Sequence, residues 1–276
     1  MTGPSPSYEY PPVSEVAIAA YFSPPLGLRS VHIGLLWERW RDRYPRTEDH
    51  PALPAVLAES FAPSPFPMPI QFGSPPGVRT WFLSSPGDRI VQLQADRLVL
   101  NWRRVDPEQP YPRYETIRPE FVQLLTELLE LVKAEELGEV TLQQGEVMYI
   151  NPIPVATVEQ QGGLRGLLAA WTGENSDDFL PAPEDMTMSA RFRIPHPTTN
   201  EPIGRLYFQL SRGMQAVEER AAVEDVYLLQ LFARGLPLEP GMSGTTDFLD
   251  LGHDWVVRGF TSLTSQSMHE LWGRRS

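Results

Sequence analysis

The stretch VRTWFLSSPGDRIVQLQADRLVLNWR, residues 78–103, decides the fold class of this chain. It contains three short runs rich in β-branched and aromatic residues, separated by Pro86-Gly87 and by Ala95-Asp96. Proline followed by glycine is typical of a type II turn, and a two-residue connection between strand-like runs is typical of a hairpin. The segment therefore predicts an antiparallel meander of three strands.

The elements around this meander come twice in the same order. A strand at 14–22 and a helix at 31–44 precede it, and a long helix from about 118 to 136 follows it, because its leucines recur at helical spacing. The order then returns as a strand at 139–151, a short helix at 162–171, strands at 187–195, 204–213 and 223–235, and a helical region at 245–272. Each half thus consists of a strand, a helix, three strands and a long helix.

This order predicts an α+β fold of two tandem β-α-β-β-β-α units, which form one curved antiparallel sheet with long helices on one face. The architecture is similar to the TATA-binding-protein-like and helix-grip folds, and a likeness of fold carries no function by itself. We assign residues 13–137 to the first unit and 138–276 to the second. Residues 1–12, rich in proline, serine and tyrosine, are predicted to be a disordered N-terminal lead.

The first unit contains a proline-rich insertion at 45–76, with nine prolines in 32 residues. Proline removes a backbone donor and fixes one dihedral angle, so this segment cannot form a continuous helix or an interior strand. Long segments of this kind in compact domains are usually functional or disordered. We expect the insertion to act as a lid or a docking arm.

Composition excludes several classes of function. The chain has 276 residues and no cysteine, which removes disulfides, thiolate nucleophiles and cysteine-based metal sites. A formal net charge of −12 argues against nonspecific binding to nucleic acid and against docking on an anionic membrane. No apolar run approaches the roughly 20 residues of a membrane-spanning helix. The N-terminal residues carry no secretory signal, so a cytoplasmic location is expected.

The densest polar and aromatic cluster lies around the end of the meander. Arginines beside exposed aromatic rings can bind a carboxylate, a phosphate or a stacked base, because guanidinium groups and ring faces suit those groups. The alternative is a strand end whose tryptophan packs in the core while the arginines pair with acids. The candidate ligand-binding or partner-binding residues are Asn101, Trp102, Arg103, Arg104, Tyr111, Arg113 and Tyr114.

His253 is the one histidine whose neighbours favour chemistry. It lies on the predicted C-terminal helix three residues after Asp250, so a carboxylate could orient its ring. The alternative is a half-buried histidine satisfied by a backbone group. We therefore assign no catalytic residue, with His253 and Asp250 as the candidates. No histidine spacing matches a helical zinc motif, and neither a metal nor a cofactor is predicted.

Three segments resemble a bacterial protein family that is sporadically distributed and functionally uncharacterised. They are PPVSEVAIAAYFSPP at 11–25, the region from Arg89 to Glu115 with its Asn-Trp-Arg and Tyr-Pro-Arg-Tyr elements, and the C-terminal region from Phe248 to Arg274. They lie in the order and at the spacing found in that family, and together they bracket nearly the whole chain. The resemblance implies a cytoplasmic accessory protein, and it supplies no catalytic residue.

Three functions remain open from the sequence. The first is a non-enzymatic binding or adaptor protein that contacts another protein through the concave face of the sheet. The second is a small-molecule-binding protein or hydrolase of helix-grip type, whose cavity lies between the sheet and the C-terminal helix. Its predicted lining is Trp102, Phe192, Phe208, Trp255 and Phe260. The third, which the net charge disfavours, is local contact with nucleic acid by strand arginines, namely Arg103, Arg191, Arg193 and Arg205.

Overall fold

The structure, a computed structural model, describes residues 5–61, 77–171, 179, 186–217 and 222–275. In these residues the chain forms one nine-stranded open antiparallel sheet and six helices, which confirms the predicted α+β class. The strands are β1 (Glu15–Ser23), β2 (Arg46–Pro51), β3 (Val78–Leu83), β4 (Arg89–Gln94), β5 (Arg97–Arg103), β6 (Thr141–Pro154), β7 (Met188–Pro195), β8 (Pro202–Val217) and β9 (Ala222–Gly235). The helices are α1 (Ser30–Trp40), α2 (Tyr114–Ala134), α3 (Val155–Gln160), α4 (Leu164–Leu167), α5 (Met242–Leu263) and α6 (Gln266–Leu271).

The strand order across the sheet is β2-β3-β4-β5-β1-β6-β9-β8-β7, with every neighbouring pair antiparallel. The predicted meander forms β3, β4 and β5, with Leu93 opposite Leu98 and Val91 opposite Leu100. β1 and β6 pair at the centre, where Ile18 lies opposite Val147. The two halves of the chain therefore meet through their first predicted strands.

The helices pack on one face of the sheet. Alternation along each strand sends one set of side chains to that face, as Val16, Ile18 and Ala20 of β1 show, and all three are fully buried. The long helices α2 and α5 bury their apolar stripes there, because leucines and aromatics recur every three to four residues. None of the helices in the described part of the chain is long and apolar enough to cross a membrane.

Glycines on three strands set how closely α5 approaches the sheet. Gly145 of β6 lies opposite Gly235 of β9, which lies opposite Gly204 of β8. A β-carbon added at any of the three would come within 3.3 Å of the ring of Phe248 on α5, and at Gly235 within 2.3 Å. The missing side chains therefore form the recess in which this buried ring sits.

Several elements differ from the sequence prediction. α3 lies at Val155–Gln160, where no helix is predicted, and the helix predicted at 162–171 is only α4, Leu164–Leu167. β2 lies inside the proline-rich insertion and forms an edge strand beside β3, where a strand that ends in proline is tolerated. The second helix begins at Tyr114, four residues earlier than predicted, so Pro119 lies within its first two turns. The part of the insertion from 62 to 76 lies outside the described residues.

The N-terminal segment also differs, within its described residues 5–12. Tyr8 is 4% exposed, its hydroxyl lies 2.8 Å from the Thr261 hydroxyl on α5, and its ring packs edge-on against Phe260. Backbone bonds join Glu9 and Tyr10 to residues 272 and 273 near the C-terminus. Composition predicts disorder here, whereas a single buried tyrosine and pairing with the C-terminal segment hold the chain against α5.

Candidate functional site

A cavity of about 370 Å³ lies between the sheet and α5. Its walls come from β6, β9, α5, the start of α2 and the N-terminal segment, so residues from both ends of the chain line it. A volume near the lower end of the range for ligand pockets suits a small organic molecule. The apolar part of the wall is formed by Val13, Leu231, Val256, Val257 and Phe260.

Three rings on the polar wall are linked by hydrogen bonds. The Tyr149 hydroxyl lies 2.7 Å from the Tyr111 hydroxyl and 3.0 Å from Nδ1 of His253. The His253 ring also stacks on Tyr114, with 4.0 Å between ring centroids and 6° between the planes. Tyr111 can donate to Tyr149, which then donates to Nδ1 of His253. Alternatively Nδ1 donates to Tyr149, which donates to Tyr111, because each hydroxyl both donates and accepts.

Burial keeps this polar wall uncharged at neutral pH. It raises the pKa of the Tyr149 hydroxyl well above its ordinary value, and it raises the pKa of Tyr111 as well. It lowers the pKa of His253, because desolvation of the imidazolium outweighs the attraction of Glu115 and the neighbouring aspartates. The cavity thus presents neutral hydroxyl and imidazole groups beside apolar side chains.

The Asp250 carboxylate accepts hydrogen bonds from Tyr114 and Arg118. Its Oδ1 accepts hydrogen bonds from the Tyr114 hydroxyl at 2.9 Å and from Nε of Arg118 at 2.7 Å, and its Oδ2 accepts from Nη2 of Arg118 at 2.8 Å. The sequence predicts that this carboxylate orients His253, but the partner of Nδ1 is Tyr149. Asp250 therefore fixes the ring of Tyr114, which in turn supports one face of His253.

Arg113 holds an unusual backbone conformation at the rim of the cavity. It precedes α2 with φ 67° and ψ 153°, a region that side chains with a β-carbon rarely adopt. Its Nη2 donates to the carbonyl of Tyr8 at 2.8 Å, and its guanidinium lies 5.5 Å from the ring centre of Tyr111. The residue thus ties the N-terminal segment to the cavity wall at a cost in backbone strain.

The structure places the residues of the predicted polar and aromatic cluster in different parts of the molecule. Tyr111, Arg113 and Tyr114 line the cavity together. Trp102 is fully buried in the core, with its ring centre 5.4 Å from that of Tyr111. Asn101 points to the opposite sheet face, because successive residues of a strand alternate.

The remaining members of the cluster make structural hydrogen bonds. Asn101 donates to Glu15 at 2.5 Å and accepts from Gln92 at 2.8 Å. Arg103 donates through Nε to the Gly87 carbonyl at 2.8 Å, and Arg104 donates to the Val13 carbonyl at 3.0 Å. These side chains brace strand ends and turns.

Of the five residues predicted to line the cavity, one does so. Phe260 lines it, whereas Phe192 and Trp255 line a separate groove of about 470 Å³ between α5 and the β7 edge of the sheet. Trp102 and Phe208 are core residues. The sequence reading did not single out Tyr8, Tyr149 or Asn151, although the period-two alternation of the strand at 139–151 puts the last two on one face.

The strand arginines do not form one cluster. Arg193 lies directly opposite Arg205 on β7 and β8, with Arg191 two residues further along. Arg103 lies on β5, four strands from β8, which is about 19 Å at the usual strand spacing. Within the described residues, no group of three or more His, Asp or Glu side chains is arranged to hold a metal ion.

Comparison with known proteins gives no assignment: no model of a known family matches the chain, and no curated protein matches it either.

Proposed function

We propose that the chain is a binding protein that holds a small, uncharged organic molecule in the cavity between the sheet and α5. The observation that carries the proposal is the neutral polar wall of Tyr111, Tyr149 and His253, which faces apolar side chains across a half-open space of about 370 Å³. A ligand with an apolar body and one hydroxyl or carbonyl group satisfies both walls.

The charges around the cavity support an uncharged ligand. The described side chains of the wall that carry charge at neutral pH are Arg113 and Glu115, which are exposed and two residues apart at the start of α2. A charged ligand group inside would lose its hydration and meet no opposite charge among the hydroxyls and the imidazole. A neutral donor or acceptor instead extends the existing hydrogen-bond chain.

We propose the site as a binding site without catalysis. A neutral histidine that acts as a general base needs a group that orients its ring and a nucleophile at hydrogen-bond distance. Asp250 is engaged by Arg118, and the neighbour of His253 is a tyrosine hydroxyl whose pKa is raised by burial. These contacts support a role for His253 as a hydrogen-bonding wall group, so we do not extend the proposal to a hydrolase.

We also propose that the fold consists of two tandem units, residues 13–137 and 138–276, in the manner of helix-grip or TATA-binding-protein-like folds. The supporting observation is that β1 has the neighbours β5, β4 and β3 in that order, while β6 has β9, β8 and β7. In both halves a long helix follows the three strands along the chain, α2 after β5 and α5 after β9. On this interpretation the cavity lies at the junction, since the start of α2 and the middle of α5 both contribute to it.

Binding of 2-naphthol, an uncharged ring system with one hydroxyl, tests the proposal on the full chain. We expect fluorescence titration to detect binding, and a raised melting temperature in the presence of the ligand. Val257→Phe fills the cavity and should lower the affinity by about tenfold or more, whereas Tyr149→Phe removes one hydroxyl and should cost about fivefold.

The matched control is Tyr227→Phe. Tyr227 is a buried tyrosine of β9 that does not line the cavity, so its loss of a hydroxyl should leave the affinity unchanged. The proposal is wrong if the wild-type chain does not bind 2-naphthol, or if Val257→Phe binds it as tightly as the wild type. An equal loss in the Tyr149 and Tyr227 variants would also contradict it.

A further inference from the structure

The face of the sheet opposite the helices is crossed by part of the proline-rich insertion. Residues 53–61 follow β2 and lie across this face, at the end where β4 turns into β5. The side chains that contact them come from β4, β5, β6 and β8. We call residues 53–61 the crossing segment.

The sheet holds the crossing segment mainly by its backbone. The side-chain amide of Gln94 both donates to the carbonyl of Leu53 and accepts from its N–H, each at 2.9 Å. Gln144 accepts from the N–H of Glu59 at 3.2 Å and donates to the Leu57 carbonyl at 3.4 Å. Main-chain hydrogen bonds give affinity when proteins bind extended peptides, and here two glutamine amides make such bonds.

Arginines complete the backbone contacts at both ends of the segment. Nη2 of Arg97 donates to the carbonyl of Pro54 at 2.6 Å, and Nη2 of Arg205 donates to the carbonyl of Ser60 at 2.7 Å. The Arg205 guanidinium also lies 4.5 Å from the ring centre of Phe61. These contacts recognise the backbone of an extended chain and place no requirement on most of its side chains.

The apolar side chains of the crossing segment contribute little. Leu53 is 39% exposed and Leu57 is 62% exposed, and no residue of the segment belongs to the hydrophobic core formed by the described residues. The side chain that is buried is Glu59, whose carboxylate accepts from Arg205 and from the Tyr207 hydroxyl. The segment is thus held by its backbone, one acid and one ring.

The charges on this face require an acid from whatever occupies it. Arg97 pairs with Asp96 at 2.9 Å, and Arg234 pairs with Glu146, so these two arginines have carboxylates on the sheet itself. The carboxylate that pairs with Arg205 comes from the crossing segment. The side chain of Arg205 is only 19% exposed while the crossing segment covers it, so an occupant that covers it in the same way has to supply a carboxylate.

We propose that this face is a peptide-binding surface, that the crossing segment occupies it in cis, and that a partner protein displaces the segment. The partner presents an extended acidic segment with a glutamate and, two positions later, an aromatic residue, as Glu59 and Phe61 do. The proposal is independent of the cavity, which lies on the helix-covered face.

Competition between cis and trans peptides tests the proposal on the full chain. The probe is a fluorescein-labelled peptide ALPAVLAESF, which copies residues 52–61. The tethered segment acts at a millimolar effective concentration, so the wild-type chain should bind the probe weakly. Glu59→Ala weakens the cis segment and should tighten probe binding by about tenfold or more, and the isosteric Glu59→Gln should act in the same direction.

Three controls make the result specific. A probe with alanine in place of its glutamate should bind the Glu59→Ala chain at least about tenfold more weakly, because Arg205 again lacks a carboxylate. Adding Arg205→Ala to the Glu59→Ala chain should abolish the gain. Adding Arg212→Ala, which removes an arginine from the other end of β8, should not, since Arg212 pairs with Asp225 on β9.

Two outcomes would overturn the proposal. One is a folded Glu59→Ala or Glu59→Gln chain that binds the probe no more tightly than the wild type. The other is exchange of the segment between two copies of this chain, seen as a dimer of the Glu59→Ala variant in sedimentation, because the occupant in trans would then be a second copy rather than a partner.

Discussion

The ring of Phe248 occupies the space that a side chain on Gly235 would need. A β-carbon at residue 235 would lie 2.3 Å from Cε2 of that ring and 2.6 Å from the carbonyl oxygen of Ile203. One of these neighbours is a fully buried ring and the other is backbone, so neither can move freely. This contact fixes how closely α5 approaches the sheet at this point.

Gly235→Ala should therefore destabilise the fold by about 1–3 kcal/mol, as overpacking of a dense core does. Urea denaturation measures the change. Gly213→Ala on β8 is the matched control, because a β-carbon there has nothing within 4 Å, and we expect it to be neutral or slightly stabilising. Equal losses in the two variants would contradict the role of Phe248.

Trp102→Ala should cost about 3–5 kcal/mol, because the side chain is fully buried between the sheet and the helices. Trp81→Ala serves as the comparison, since Trp81 is half-buried on the opposite face, where its ring centre lies 4.0 Å from that of His50. We expect a clearly smaller loss for Trp81. A melting temperature unchanged by Trp102→Ala would show that the ring does not belong to the core.

Arg113→Gly should be more stable than Arg113→Ala, by about 1 kcal/mol or more, because glycine alone adopts φ 67° and ψ 153° without strain. Both variants lose the bond from the guanidinium to the carbonyl of Tyr8, so their difference isolates the backbone. Thermal unfolding of the two proteins measures it. Equal stability would mean that the conformation of residue 113 stores no strain.

The pH dependence of stability should carry the signature of His253. Burial lowers its pKa below the ordinary value of 6.5, so the unfolded chain binds a proton as the pH falls through 6.5 while the folded chain does not yet do so. The free energy of unfolding therefore falls as the pH drops below 6.5, and the fall from this group ends below the folded pKa.

His253→Gln should reduce that slope between pH 7 and pH 5, as measured by urea denaturation at each pH. His269 contributes in the same direction, because desolvation lowers its pKa as well, so the variant with both histidines replaced should be flatter than either single variant. A slope that is unchanged in the double variant would rule out both groups as its cause.

Much of the fold follows from local pattern. Period-two alternation in RIVQLQ and RLVLNWR predicts β4 and β5, and helical spacing of leucines predicts α2, because both signals repeat over several residues. β2 was missed because its residues RTEDHP are polar and carry no alternation, and its place at the edge depends on pairing with β3. The early start of α2 does not follow from the local pattern, because it makes Pro119 the sixth residue of the helix, beyond the first turn in which proline is tolerated.

The candidate site was predictable only in pieces. Residue type indicates Tyr111, Arg113, Tyr114 and His253 as candidates, whereas the pattern around Tyr149 indicates only a strand. What unites them is the pairing of β6 with β1 and β9, and the packing of α5 on those strands. Such contacts join residues more than a hundred positions apart, as between Tyr149 and His253, and no local pattern encodes them.

The sequence by itself determined the class of fold and the buried side of each long element, because side chains alternate along a strand and recur along a helix. It also determined that chemistry here has no thiolate, since the chain has no cysteine. Only the tertiary structure decided that Asp250 binds Arg118 while Tyr149 binds His253, and that residues 53–61 lie on the helix-free face. Side-chain hydrogen bonds depend on distances of a few tenths of an ångström, and these are set once the helices have packed on the sheet.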